Sequence, residues 1–177
     1  AGVAVSGAGA VAQNVVLTKV NAFADSSRLG SSANPVGDVD LDARSDSTIS
    51  STVVAAALAI GGGGTAGVGV SIGIGIAQNF IGWQPGDSTP TPAEVKAYLK
   101  DTSVRSTGAI TQDAVADQTI NSTVLAGSVA VGLGGTAGVG VAGSGVWSEN
   151  WIAANVAATI DGDGADGILA DSITLTA

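Results

Sequence analysis

Residues Gly61 to Ile76 read GGGGTAGVGVSIGIGI, a run of glycines followed by strict alternation of glycine or serine with a branched aliphatic residue. Alternation of this length is typical of a β-strand, because successive side chains of a strand point to opposite faces. The aliphatic face holds Val68, Val70, Ile72, Ile74 and Ile76. The other face is nearly bare, so the pattern predicts that another backbone approaches it closely, from a second sheet or a second copy of the chain.

The motif Ala-Gly-Val occurs three times, at Ala1–Val3, Ala66–Val68 and Ala137–Val139. The offsets are 65 and then 71 residues, and an asparagine follows at Asn14, Asn79 and Asn150 with the same offsets. Self-similarity at such a period predicts stacked structural repeats. We predict repeat 1 at residues 1–65, repeat 2 at 66–136 with a loop insertion near 82–92, and a partial repeat 3 at 137–177, all in one continuous stacked domain.

The fold class follows from the small size of the side chains. Glycine supplies 27 of the 177 residues, and only six residues are aromatic. Small side chains suit closely stacked β-structure better than an ordinary globular core. We therefore predict an all-β, repetitive parallel β-solenoid. The alternative is an antiparallel hairpin array stacked as a sandwich, which the sequence alone leaves open.

The repeats also carry a family resemblance. The stretches Gly63–Val70, Ala97–Leu99 and Gly108–Ala114, with Asn79 between the first two, resemble the β-strand repeats of giant bacterial surface proteins. These are the filamentous haemagglutinin-like and leukotoxin-like filamentous adhesins, and the resemblance covers nearly the whole chain. It implies secretion, a place at the cell surface or outside the cell, and a role in adhesion, aggregation or matrix. The family has no catalytic residues to transfer.

The charge and hydropathy of the chain limit the classes of partner that it is expected to bind. The net charge of −9 argues against nucleic acid, because phosphate binding needs a basic surface. The uncharged run Val53–Ala77 is long enough for a membrane helix, but its glycines and its alternation predict buried β-structure, so membrane insertion is not expected. We expect other copies or flanking repeats of the same protein as partners, in a homo-oligomer or filament, with a cell-surface glycan as a further candidate.

The sequence offers little for catalysis. It has no His or Cys to act as base or nucleophile, and its only glutamates are Glu94 and Glu149. We predict that the chain is not an enzyme, with a glycan-acting solenoid enzyme as the remote alternative. Gly62–Gly67 fits the G-x-G-x-x-G pattern, but a period-two strand follows it and not a helix, so no cofactor is expected there.

Three sets of residues are candidates for sites. An Asp/Gly-rich run contains Asp161, Asp163 and Asp166, and alternating carboxylates of this kind suit Ca²⁺, although a plain turn explains them as well. Aromatic stacking on a surface or a glycan is a candidate role for three tryptophans, namely Trp83, Trp147 and Trp151; packing between repeats is the alternative. The predicted assembly surface consists of Gly67, Gly69, Gly73, Gly75, Gly138 and Gly140.

Overall fold

The chain folds entirely into β-structure. The computed structural model describes residues 1–177 and contains twelve strands and no helix. In chain order the strands β1 to β12 are Gly2–Val16, Lys19–Asp25, Arg28–Leu29, Val39–Gly63, Ala66–Ile81, Ala93–Lys100, Ser103–Arg105, Ala109–Gly134, Ala137–Ile152, Ala154–Asp161, Ile168–Leu169 and Ser172–Thr176. Four strands make one coil, so β1–β4, β5–β8 and β9–β12 are three successive coils.

Equivalent strands of the three coils lie side by side. They form four three-stranded sheets, in the orders β1-β5-β9, β10-β6-β2, β11-β7-β3 and β12-β8-β4. The pairing is parallel and keeps the sequence repeat in register, so that Val20, Val95 and Val156 are aligned across β2, β6 and β10. Stacked parallel sheets of this kind confirm the predicted parallel β-solenoid, and the alternative antiparallel hairpin array is wrong.

Length differences between the coils fall in the connections. Residues 64–65 separate β4 from β5 and residues 135–136 separate β8 from β9, which is where the repeats were predicted to meet. Residues 82–92 connect β5 to β6, whereas two residues connect β1 to β2 and only Ala153 connects β9 to β10. Insertions at a coil corner leave the stacked strands undisturbed, because the loop projects into solvent.

The chain divides into two compact units, and each consists of three segments of the sequence. The first, which we call the glycine-rich unit, consists of Ala1–Asn14, Ile49–Asn79 and Ile120–Asn150. The second, which we call the charged unit, consists of Val15–Thr48, Phe80–Thr119 and Trp151–Ala177.

Small residues fill the interior of the glycine-rich unit. Along β4 the buried positions are Ser51, Val53, Ala55, Ala57, Ala59 and Gly61. A ladder of asparagines also points inward: the Asn14 side-chain amide donates to Asn79 Oδ1, and the Asn79 amide donates to Asn150 Oδ1, both at 2.8 Å. Asn79 is fully buried and also donates to Ser51 Oγ at 3.0 Å. The equivalent asparagines of the three repeats are thus hydrogen-bonded to one another on successive coils, which agrees with the predicted stacking of the repeats.

Aliphatic side chains fill the interior of the charged unit instead. One cluster contains Ala43, Val95, Ala97 and Ala114, and a second contains Leu99, Val104 and Ile110. The alternate residues of β4, such as Asp40 and Asp42, are exposed. This part of β4 therefore has one buried and one solvated face, as its alternation predicts.

Candidate functional site

The glycines of β5 face the interior of the glycine-rich unit. Gly67, Gly69, Gly73 and Gly75 are all buried. A Cβ added at Gly69 would lie 2.6 Å from the Val131 carbonyl oxygen, and one added at Gly73 would lie 2.6 Å from that of Gly127. The close approach predicted for this face therefore exists, but the approaching backbone belongs to β8 of the same chain. These four glycines cannot form the predicted assembly surface, because the chain itself already covers them.

The two glycines of β9 differ in exposure. Gly138 and Gly140 are exposed, because β9 is the outer strand of its sheet. They also face β8, since a Cβ on Gly138 would clash with the Gly132 carbonyl oxygen and one on Gly140 with that of Ala130. Of the predicted assembly residues, only these two lie where another chain could reach them.

The outer faces of the glycine-rich unit are aliphatic. On β1, Val3 and Val5 are 70% and 75% exposed, and on β5, Ile72 is 52% exposed. The outer side of β4 and β8 is similar, with Leu58 and Leu125 mostly exposed. This distribution of side chains is the reverse of that in an ordinary β-sheet protein, in which the larger aliphatic residues are buried and the small or polar ones face water. It arises because only small residues fit between two sheets whose backbones are this close.

Charge is divided unevenly between the two units. The chain has 6 basic and 15 acidic residues, and the ranges of the glycine-rich unit contain only Glu149. Every other charged residue belongs to the charged unit. Within the glycine-rich unit, Glu149 near one end of β9 is thus the only charged side chain.

Two of the three tryptophans pack against each other. The rings of Trp83 and Trp151 meet edge to face with centroids 4.6 Å apart, and Phe80 meets Trp151 in the same manner at 5.9 Å. These contacts agree with the alternative role suggested for the tryptophans, which is packing between repeats. Trp147 lies on the outer side of β9 and is 61% exposed. It is thus the one tryptophan with no aromatic contact and a largely open ring.

The Asp/Gly-rich run follows the end of β10. Gly162, Gly164 and Gly167 have positive φ, so the run turns sharply three times. The Asp166 carboxylate pairs with Arg28 at 3.1 Å, and its backbone oxygen accepts from Arg105 at 2.6 Å. The structure contains no group of three or more carboxylates arranged to share a metal ion. Ca²⁺ binding by Asp161, Asp163 and Asp166 stays a prediction, which a calcium-dependent melting temperature would test.

The sheet β2-β6-β10 presents a site that the sequence did not predict. Phe23 and Tyr98 stack in parallel on its outer side, with ring centroids 5.1 Å apart and planes 8° apart. The same position in β10 is Thr159. A groove with a volume of about 380 Å³ lies beside Tyr98, over the small side chains of β10. In the sequence, Phe23, Tyr98 and Thr159 occupy equivalent positions of the three repeats, and this difference indicates only that the repeats have diverged. The parallel register shows that two of these positions hold stacked rings and that the third holds no ring.

Charged side chains border this groove. Lys96 Nζ lies 2.8 Å from Glu94 Oε2, and the Asn21 side-chain amide donates to Glu94 Oε1 at 2.9 Å. The hydrogen bond from Lys96, followed by that from Asn21, lowers the pKa of Glu94 below its ordinary value. Lys100 and Asp161 lie at the other end of the groove, aligned across β6 and β10.

No family model, curated protein or solved structure matches the chain. The structure has no helix of the length and hydropathy that crossing a membrane would need. Function is therefore inferred from the surfaces of the two units.

Proposed function

We propose that the chain is a structural, non-enzymatic module of an extracellular bacterial fibre, matrix or adhesin, which associates with other copies of itself. The uncharged, aliphatic exterior of the glycine-rich unit is the observation that supports this proposal. Monomeric soluble proteins rarely expose contiguous apolar patches larger than a few hundred Å². Exposure of Val5 and Ile72 in a surface without charges therefore favours contact with another apolar surface.

The size of one face is close to what a stable contact needs. In the glycine-rich unit, 13 residues of β1 and 14 residues of each of β5 and β9 form one sheet. At about 3.3 Å per residue and about 4.8 Å per strand, this face measures roughly 46 Å by 14 Å, or about 650 Å². A standard protein interface buries about 800 Å² per partner. One face of this chain should therefore give a weak dimer, and longer arrays of coils should associate more strongly.

The outer surface of the β1-β5-β9 sheet is self-complementary in shape. The offsets of the side-chain ladders align Ile72 of β5 with Gly7 in β1 and Gly143 in β9, and align Ile74 with Gly9 and Gly145. The isoleucines therefore form a central ridge with a glycine groove on either side. A second copy displaced by one strand can place its ridge in that groove, which would bury both isoleucines without a steric clash.

Open strand edges supply a second route to association. β12 pairs with Ala109–Asp113 of β8, and the remaining residues of β8 can pair on that side with a strand of a flanking repeat or of another copy. Unpaired edges are templates for pairing with a further strand. Face contacts would join copies laterally, whereas edge pairing would extend the parallel sheets.

The extracellular location rests on the family resemblance, and labelling of intact producing cells with a specific antibody tests it.

Sedimentation velocity and electron microscopy over a range of protein concentrations test the self-association. We expect concentration-dependent dimers or larger ordered assemblies. The double substitution Ile72→Lys and Ile74→Lys should abolish the lateral contact, because each lysine would place an unpaired charge in it. Ser88→Lys and Thr91→Lys, in the exposed connection between β5 and β6, add the same charge elsewhere and should leave association unchanged. A wild-type chain that stays monomeric at high concentration contradicts the proposal.

The tryptophans do not favour a separate glycan-binding function. Trp83 and Trp151 pack on each other, which leaves Trp147 as a single open ring on β9. Trp147 aligns with Ile76 on the outer side of the same sheet, through the offset of 71 residues. Its position is thus consistent with the apolar face described above, and we assign it to that face.

A further inference from the structure

We propose that the groove beside Tyr98 binds a neutral pyranose unit of a glycan, which stacks as the third ring on the Phe23–Tyr98 pair. This function is independent of the self-association proposed above, because it uses the charged unit and not the aliphatic faces. Three features carry it: the aromatic ladder, its interruption at Thr159, and the position of the charged groups around the gap.

The gap has the thickness of one ring. Parallel strands are about 4.8 Å apart, and the ring centroids of Phe23 and Tyr98 are 5.1 Å apart. A ring in the same position above β10 would lie at about the same distance from Tyr98, on its free face. Thr159 occupies that position, and Ala157 lies next to it on the floor of the groove. The stack therefore ends with one aromatic face open above a floor of small side chains.

The polar groups lie at the ends of the gap and not on its faces. Along β6, Lys96 precedes Tyr98 by two residues and Lys100 follows it by two, so they lie about 7 Å to either side. Glu94 is held against Lys96, and Asp161 is aligned with Lys100. A carboxylate and an ammonium group are thus present at each end, where they can accept from and donate to the edge of a bound ring.

This distribution fits a pyranose. The equatorial hydroxyl groups of a pyranose radiate in the plane of the ring, whereas its C–H bonds lie on its faces. C–H groups pack favourably on the electron-rich face of an aromatic ring, and the hydroxyls would meet the charged groups at the two ends. An aromatic side chain would fill the gap as well, but its ring edge would make no hydrogen bond with the charged groups at the two ends.

The charges also favour a neutral sugar. The two carboxylates of Glu94 and Asp161 balance the two ammonium groups of Lys96 and Lys100. A uronic acid or a sulfated sugar would meet a carboxylate at either end of the groove. The volume of about 380 Å³ lies within the usual range for ligand sites, about 300–1,000 Å³.

Saturation-transfer NMR and titration calorimetry on the whole chain test the site, with cello-, manno- and chito-oligosaccharides as probes. We expect at least one of these to bind, with the strongest saturation transfer on the C–H groups of one sugar face. Thr159→Tyr should complete the aromatic ladder and fill the gap, and should weaken binding at least about tenfold. It adds a residue with high strand propensity to an exposed position of an edge strand, so the variant should fold.

Two further variants and one further probe make the test specific. Tyr98→Leu should also weaken binding about tenfold or more, because it removes the stacking face. Trp147→Leu removes an exposed ring that does not line the groove and should change binding less than about twofold. Failure of all three oligosaccharide classes to bind overturns the proposal, as does binding that Thr159→Tyr leaves unchanged. Binding of p-cresol in place of any sugar would overturn the sugar assignment and identify the gap as a slot for an aromatic side chain.

Discussion

Gln112 is a fully buried residue of β8 whose two side-chain amide atoms both lack a hydrogen-bond partner. Leu175 of β12 is aligned with it, and Leu41 of β4 occupies the equivalent position one repeat earlier. A buried polar group without a partner costs about 1–3 kcal/mol. Gln112 is therefore a polar interruption in a ladder of leucines, and it lowers the stability of the charged unit.

Gln112→Leu should raise the free energy of unfolding by about 1–3 kcal/mol, because it removes the unpaired amide and keeps a similar volume. For a chain of this size the melting temperature should rise by about 2–4 °C per kcal/mol, measured by calorimetry. Asn79→Leu is the matched control: Asn79 is also fully buried, but its amide is bonded to Asn14, Asn150 and Ser51. That substitution should destabilise the chain. A loss of stability in Gln112→Leu would show that its amide has a partner after all.

At the scale of the strand, the packing of β5 against β8 depends on glycine at the positions where β8 carbonyl groups approach β5. Gly69→Ala should destabilise the chain by about 3 kcal/mol or more, because its Cβ would lie 2.6 Å from the rigid Val131 carbonyl oxygen. Gly127→Ala is the control, since a Cβ there has no neighbour within 4 Å. It should be neutral or slightly stabilising, as alanine lowers the entropy of the unfolded chain. Denaturant unfolding of both variants measures the difference, and equal effects would mean that the two sheets can move apart.

The strands and the close approach of another backbone to the glycine face of β5 could be predicted from the sequence, but not that β8 of the same chain makes this approach. Alternation of glycine with Val68, Val70 and Ile72 fixes two faces without saying which of them is buried. Burial of the aliphatic face is the usual outcome. Here the glycines of β5 lie opposite the carbonyl groups of β8, and this proximity of two segments far apart in sequence has no local signature. The sequence therefore could not show that Gly67, Gly69, Gly73 and Gly75, predicted as part of an assembly surface, are covered by the chain itself.

The groove beside Tyr98 was missed for a related reason. Three aligned residues, Phe23, Tyr98 and Thr159, are visible in the repeats, and their sequence pattern indicates only divergence. The ring stacking becomes apparent when the coils are known to be parallel and in register. In contrast, the asparagine ladder could be predicted. An asparagine at the same position of all three repeats implies that these asparagines contact one another when the coils stack.

At the scale of the whole molecule, association of the aliphatic faces should strengthen with salt. The net charge of −9 resides almost entirely in the charged unit, so two associating chains repel each other while the faces in contact contribute no ion pairs. The screening length falls from about 20 Å to about 6 Å between 20 mM and 300 mM NaCl. The dimer dissociation constant should therefore fall about tenfold or more over this range. Association through ion pairs would instead weaken.

Sedimentation equilibrium at several NaCl concentrations measures this dependence, with Ile72→Lys and Ile74→Lys together as the control. If the faces carry the contact, that variant should stay monomeric at every salt concentration, although its net charge is smaller and its repulsion weaker. Dimers of the variant that form as readily as those of the wild-type chain would place the contact at the strand edges. A wild-type dimer that dissociates as salt rises would instead assign the contact to the charged unit, because only that unit has basic residues to form ion pairs.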